Sequence, residues 1–190
     1  EKLSAIGVRW HFNTTVQSID RANECLHVTL ANGNILQSDV ILSAVGLKPR
    51  LALAKAAGIT THQGIQVNRE LETSAPHIYA LGDCAEVEGL VLPYVMPIMQ
   101  AARALATTLT GQRTPLTYPA MPVMVKTPAL ATIVSPPAKE AVGQWKVTTL
   151  DDGLEARFES ANGQLLGFVL MGAATAQRAT LTKELPPILV

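Results

Sequence analysis

The hydrophobic pattern divides the chain into short runs punctuated by glycine, proline and asparagine. A helical opening leads into "GVRWHF" (7–12), which predicts a strand. "CLHVTL" and "NILQ" flank Asn32-Gly33, a dipeptide that tolerates positive φ at both positions and so predicts a hairpin. "SDVILSAVG" follows, and its Val40, Ile41 and Leu42 lack alternation. That pattern predicts a strand buried on both faces, of the parallel kind. A short helix over 51–57 should stop at Gly58, with strands at 64–67 and 77–82 after it. The clearest helix has Pro97 in its first turn. Ile98, Met99, Ala102, Leu105 and Leu109 recur at helical spacing along it, and Gly111 ends it.

The stretch 112–122 breaks the pattern with three prolines and no periodicity, which marks a domain boundary. Beyond it, "VMVKTPALATIVSPP", "QWKVTTL", "LEARFES" and "QLLGFVLMG" read as strands. Asp152-Gly153 and Asn162-Gly163 serve as the turns between the last three. An amphipathic helix over 175–185 closes the chain. The region 116–190 is therefore expected to be a small antiparallel sheet with one terminal helix, an α+β arrangement.

Composition changes this picture little. The 190 residues are 48% hydrophobic and 16% charged, enough to build a sizeable core. Fifteen basic side chains balance fifteen acidic ones, which argues against binding nucleic acid or anionic membrane through bulk charge. No apolar run is long enough to predict a transmembrane helix. The opening "EKLSAIGVRW" reads as a helix end entering a strand, so the chain is expected to be the C-terminal piece of a longer one. Cys25 and Cys84 lie far apart without a Cys-x-x-Cys motif, which speaks against disulfide scaffolds and structural zinc and fits a reducing cytoplasm. Both are expected to be packing residues. His11, His27, His62 and His77 show no ligand spacing, and Trp10 and Trp145 read as core or interface aromatics.

Candidate chemistry concentrates in "TSAPHIYALGDCAE" (73–86). A short apolar strand ends in Gly82-Asp83, and ligands of α/β sheets sit at the carboxyl ends of strands. Glycine admits a ligand close to the backbone, and the Asp83 carboxylate offers a charged acceptor to hydroxyl donors such as a polyol chain. The helix beginning near Met96 adds unpaired N–H groups and a partial positive charge, suited to the electron-rich edge of a reduced flavin. The same local pattern also describes a structural Gly-Asp turn before an ordinary core helix.

"TSAPHIYALGDCAE" resembles the second FAD-binding motif of the pyridine nucleotide–disulfide oxidoreductase superfamily. "ILSAVGLKPR" (41–50) resembles its Ala-x-Gly-x-x-Pro crossover from the NAD(P)H domain back to the FAD domain. "LPYVMPIMQAARALA" (92–106), "MPVMVKTP" (121–128), "VSPP" (134–137) and "TLTKELP" (180–186) resemble the rubredoxin reductase branch, with flavorubredoxin reductases as near neighbours. The resemblance implies an α/β fold, the C-terminal portion of a flavoprotein reductase with two dinucleotide domains. Residues 1–46 would be the tail of the NAD(P)H-binding domain, 47–115 the second segment of the FAD-binding domain, and 116–190 a small α+β C-terminal domain. It further implies FAD and NADH as cofactors, rubredoxin as electron acceptor and alkane oxidation as the process served.

No catalytic side chain is expected, because the flavin carries the chemistry. The implied cofactor-binding residues are Gly82 and Asp83 at the ribityl chain, Val95 and Met96 at the pyrimidine edge, and Lys126 beside the isoalloxazine, with Pro128 stiffening its loop. Gly46 is expected near the dinucleotide, and with Pro49 it shapes the crossover. Plain core packing for Val95 and Met96, and a solvated lysine at 126, are the competing readings. The family's glycine-rich phosphate loops have no counterpart, since no Gly-x-Gly occurs in the sequence. The implied alternatives are a flavorubredoxin or ferredoxin reductase and, in another class, a non-catalytic module that docks a redox partner.

Overall fold

A computed structural model describes residues 2–22, 24–127 and 129–190. The chain forms two compact units, Glu1–Gly46 and Leu47–Val190.

The first unit opens with α1 (Lys2–Ala5) and carries an antiparallel sheet in the order β1-β2-β3. Its strands are β1 (Val16–Ala22), β2 (Cys25–Leu30) and β3 (Ile35–Ser38). The Asn32-Gly33 hairpin forms as expected, with the Asn32 side chain accepting from the Asn34 N–H at 3.2 Å. The strand β1 was not anticipated.

The strands expected at 7–12 and within 39–46 do not form. Neither run carries a ladder. Val40, Leu42 and Val45 are exposed rather than buried on two faces, Leu42 at 87%. A two-faced parallel strand needs hydrogen-bonding neighbours on both edges and a covering layer on each face, and the described residues supply neither. Trp10 is likewise exposed and stacks on Phe12 with ring centroids 5.8 Å apart, instead of entering a core.

The second unit begins with α2 (Ala52–Ala56), which ends before Gly58 as expected. The strands β4 (Ile65–Val67) and β5 (Ala85–Val87) pair in parallel. The strand expected at 77–82 does not form; the segment carries an isolated bridge, Glu72 to Tyr79. The strand that forms in this motif is β5, after the Gly82-Asp83 turn. The long helix α3 (Val95–Leu109) is present, and the expected face is only partly buried: Leu105 is buried with Pro97, Ala101 and Ala104, while Met99 and Leu109 are exposed. The small alanines let the chain pack close to the helix axis.

The C-terminal sheet follows expectation most closely. It contains β6 (Val123–Val125), β7 (Thr132–Ser135), β8 (Gln144–Leu150), β9 (Gly153–Glu159) and β10 (Leu165–Gly172), antiparallel in the order β6-β7-β10-β9-β8. The β8–β9 turn falls one residue early: Leu150 pairs with Gly153, so Asp151 and Asp152 form the loop. Gly153 serves another need, because a Cβ there would collide with the Met171 carbonyl of β10. The expected terminal helix splits into a 3-10 turn (Ala173–Gln177) and α4 (Arg178–Glu184). Trp145 lies half exposed on the sheet, edge-on to Phe158 at 5.2 Å.

Two apolar cores hold this unit. One joins Leu71, Val87, Ala101, Leu105, Leu116, Tyr118, Met121 and Leu189. The other packs α4 on the sheet through Ile133, Leu165, Phe168, Leu170, Ala174 and Leu181. The proline-rich stretch 112–122 thus carries Leu116, Tyr118 and Met121 into the first core. Among the described residues, no helix is long and apolar enough to cross a membrane.

Candidate functional site

Gly82 adopts φ +83°, a conformation glycine holds without steric cost, and it breaks the extended run 78–81. The Gly82 carbonyl accepts the Ala85 N–H at 3.0 Å, so the tight turn across Asp83 and Cys84 delivers the chain into β5. Asp83 is exposed at the tip of this turn, and its carboxylate has no hydrogen-bond partner among the described residues. Cys84 is half-buried, with its thiol 3.6 Å from the Leu81 carbonyl. Cys25 is also half-buried, 3.5 Å from the Ala22 carbonyl.

The first turn of α3 lies against this turn. Gly82, Leu81, Leu92, Pro97, Ile98 and Tyr118 surround a void of about 10 Å³, so the two segments are closely packed. A Cβ on Gly82 would meet only the Ile98 side chain, at 4.0 Å. Tyr94 is the N-cap residue in extended conformation and makes no side-chain cap. The N–H groups of Val95 and Met96 therefore remain available as donors at the positive end of a fifteen-residue helix. Val95 and Met96 are 70% and 47% exposed, so they are not core residues.

Lys126 is exposed just after β6 and lines a different feature, an open groove of about 530 Å³ shared with Met124, Thr132, Thr175 and Arg178. Pro128 lies outside the described residues. Gly46 is exposed at φ +95° and belongs to the first unit. The structure thus brings together Gly82, Asp83 and the start of α3.

One functional group escaped the sequence reading. Glu86 lies in β5 and is 3% exposed, the buried charged side chain among the described residues. It accepts from the Gly64 N–H at 2.8 Å and faces His62 Nδ1 at 3.1 Å. Burial pushes its carboxyl up, but the Gly64 N–H and the His62 ring outweigh burial and hold it below the ordinary carboxylate value. A charge between Ala85 and Val87 in an apolar strand was the available signal. Among the described residues, no three ligating side chains gather into a metal site.

The profile of the pyridine nucleotide-disulphide oxidoreductase family matches residues 1–108. The chain belongs to that family. A second profile, the rubredoxin binding C-terminal domain, matches residues 115–185. The rubredoxin-NAD(+) reductase of Alcanivorax borkumensis is 48% identical over 188 residues, 98% of this chain and 49% of that protein. The nitric oxide reductase FlRd-NAD(+) reductase of Aeromonas salmonicida is 40% identical over 98% of this chain and 48% of its own length. A ferredoxin reductase structure from Rhodopseudomonas palustris superposes with a TM-score of 0.81 at 27% identity, covering 98% of this chain and 48% of that one. The chain therefore spans about half the length of the relatives it matches. The two profiles together describe a dinucleotide-binding portion of this family followed by a C-terminal domain of the rubredoxin-binding type.

Members of this family are flavoproteins, and the residues present fit part of the flavin. An unpartnered exposed carboxylate beside an unfilled glycine suits the ribityl hydroxyls, and an uncapped helix start suits the pyrimidine edge. The sequence holds no Gly-x-Gly of the kind that cradles a pyrophosphate.

Proposed function

We propose that this chain is the flavin-ribityl and partner-facing half of an NADH:rubredoxin reductase. In this reading, residues 1–46 close the NAD(P)H-binding domain, 47–115 are the second FAD-binding segment and 116–190 receive rubredoxin. The observation that carries the flavin assignment is Asp83, exposed and without a hydrogen-bond partner among the described residues, in a glycine turn packed on α3. Asp83 accepts from the flavin's polyol hydroxyls, and Gly82 leaves room for that chain. The N–H groups of Val95 and Met96 face the ring edge where negative charge gathers. Lys126 supplies a positive charge beside the ring or toward an acidic partner. The flavin, when bound, supplies the chemistry that turns a hydride from NADH into single electrons for the rubredoxin iron. The 48% identity to a rubredoxin-NAD(+) reductase supports rubredoxin as the acceptor and NADH as the donor. The 40% identity to the flavorubredoxin enzyme keeps that acceptor as a second reading.

The test joins the first half of the Alcanivorax borkumensis relative to this chain. The chimera should purify yellow, be reduced by NADH in stopped flow and be reoxidised by rubredoxin. Asp83→Ala in the same chimera should lose its flavin on dialysis. A flavin-loaded chimera that NADH reduces but rubredoxin does not reoxidise would remove rubredoxin as the acceptor. Flavin retention by Asp83→Ala equal to the parent would remove Asp83 from the site.

A further inference from the structure

The floor of the Gly82 turn is tied to the C-terminal end of the chain. Tyr118 lines the small void beneath Gly82, Pro97 and Ile98, and it is nearly fully buried. Its backbone is held by Ile188 and Leu189. The Tyr118 N–H donates to the Leu189 carbonyl at 2.9 Å, and the N–H groups of Ile188 and Leu189 donate back to the Tyr118 carbonyl at 2.8 and 3.1 Å. The Leu189 side chain is buried in the same core as Leu116 and Tyr118.

Arg69 fastens the arrangement from the other side. Its Nε donates to the Leu116 carbonyl at 2.8 Å, its Nη1 to Glu88 at 3.2 Å and its Nη2 to the Val190 carbonyl. The Leu116 N–H donates to the Arg69 carbonyl at 2.7 Å. One guanidinium therefore links three segments: the turn after β5, the 116–118 run and the final residues. Tyr118 also lies near Tyr94, the residue that opens α3; burial and then this neighbour push the Tyr118 hydroxyl upward.

These residues form a strap. It leaves α4, which belongs to the second core, and ends in the first core beside the candidate site. Residues 186–190 lie beyond both family profiles, which end at 108 and 185. We infer that the strap at 188–190 acts through Tyr118 as the positioning element for the Gly82-Asp83 turn and the first turn of α3. Leu189 and Arg69 are positioning residues, not ligands. The strap gives the C-terminal sheet, where a partner would dock, a direct mechanical connection to the residues assigned to the flavin.

This rests on the flavin reading for its meaning, but it can be measured without flavin. Amide hydrogen exchange is followed in the 190-residue protein and in Leu189→Ser, Leu189→Met and Arg69→Gln. Leu189→Ser should speed exchange about tenfold in peptides covering 81–86 and 95–101, with β9 and β10 unchanged. Leu189→Met should restore protection, and Arg69→Gln should reproduce the local effect more weakly. If Leu189→Ser does not fold, Arg69→Gln decides by the same comparison. Unchanged exchange at 81–86 and 95–101, or equal acceleration throughout residues 47–190, overturns the inference. A failed flavin titration of the parent chimera would instead count against the flavin reading and leave the exchange result standing.

Discussion

The C-terminal sheet and the first unit are both rich in β-structure, and they satisfy it in opposite ways. In the sheet, each strand from β6 to β10 finds its partners within the segment 123–172, and the enclosed side chains are dry: Phe168 and Leu170 are 0% exposed. In the first unit, Val28 and Leu30 are buried, while the runs at 7–12 and 39–46 hold no ladder and leave Val40, Leu42 and Val45 in solvent. Antiparallel hairpins close locally, so a short stretch of sequence can supply a whole sheet. Parallel strands need partners brought by crossover connections, so a single apolar run does not make one by itself.

The sharpest way to break this contrast is at Phe168. Its ring is wholly buried among Ile133, Leu165, Leu170 and Leu181. Phe168→Ala should cost about 3–5 kcal/mol through lost transfer energy and the cavity left behind. Urea unfolding followed by the fluorescence of Trp145, which lies on Phe158 of the same sheet, reads this directly. A loss below about 1 kcal/mol, the range of surface and well-repacked sites, would mean that the second core does not stand on its own packing.

What the sequence disclosed follows the same division. The hairpins at Asn32-Gly33 and Asn162-Gly163 were legible because the turn residues themselves demand the geometry. The helix α3 was legible from its period and its ends. Its buried face was legible only in part: Leu105 is buried, but Met99 and Leu109 are exposed, and Pro97, Ala101 and Ala104 pack inward. "SDVILSAVG" misled, because its apolar run predicted a strand buried on both faces, whereas pairing depends on segments that the pattern of one stretch cannot supply. At the site, Gly82 and Asp83 stood out because a charged acceptor follows a glycine at the end of an apolar run, within a stretch that resembles a known FAD-binding motif. Glu86 did not, since its role depends on Gly64 and His62, more than twenty positions away. The strap at 188–190 was also hidden, because three residues carry no periodicity.

Glu86 and Asp83 sharpen the comparison on a scale of three residues. One carboxylate is buried and held; the other is exposed and free. Glu86→Gln should cost about 1–3 kcal/mol at pH 7, the range for a buried hydrogen bond to a charged group. The pH dependence follows from the lowered Glu86 value. A carboxylate depressed in the folded state contributes fully above its unfolded value, 4.5, and loses that contribution as pH falls through the lower folded value. The difference between parent and Glu86→Gln should therefore be largest near neutrality and shrink below pH 4.5. Urea midpoints at pH 7 and pH 3 measure it, and an undiminished gap at low pH would mean that the Glu86 charge is not what stabilises the turn.

The smallest effect belongs to the first unit. Leu42 is 87% exposed, with no buried surface to lose, so Leu42→Ser should change stability by less than about 0.5 kcal/mol. In a covered parallel strand the same change would remove a full leucine burial and leave a hydroxyl without a partner, costing about 2–5 kcal/mol. The two outcomes differ enough to be separated by a single pair of urea curves. Run at several protein concentrations, the same curves also distinguish a bare strand from one covered by a second copy, because only the latter gives a concentration-dependent midpoint. A large, concentration-dependent loss would show that Val40, Leu42 and Val45 are buried in solution, and the contrast between the closed sheet and the open first unit would then belong to the single chain alone.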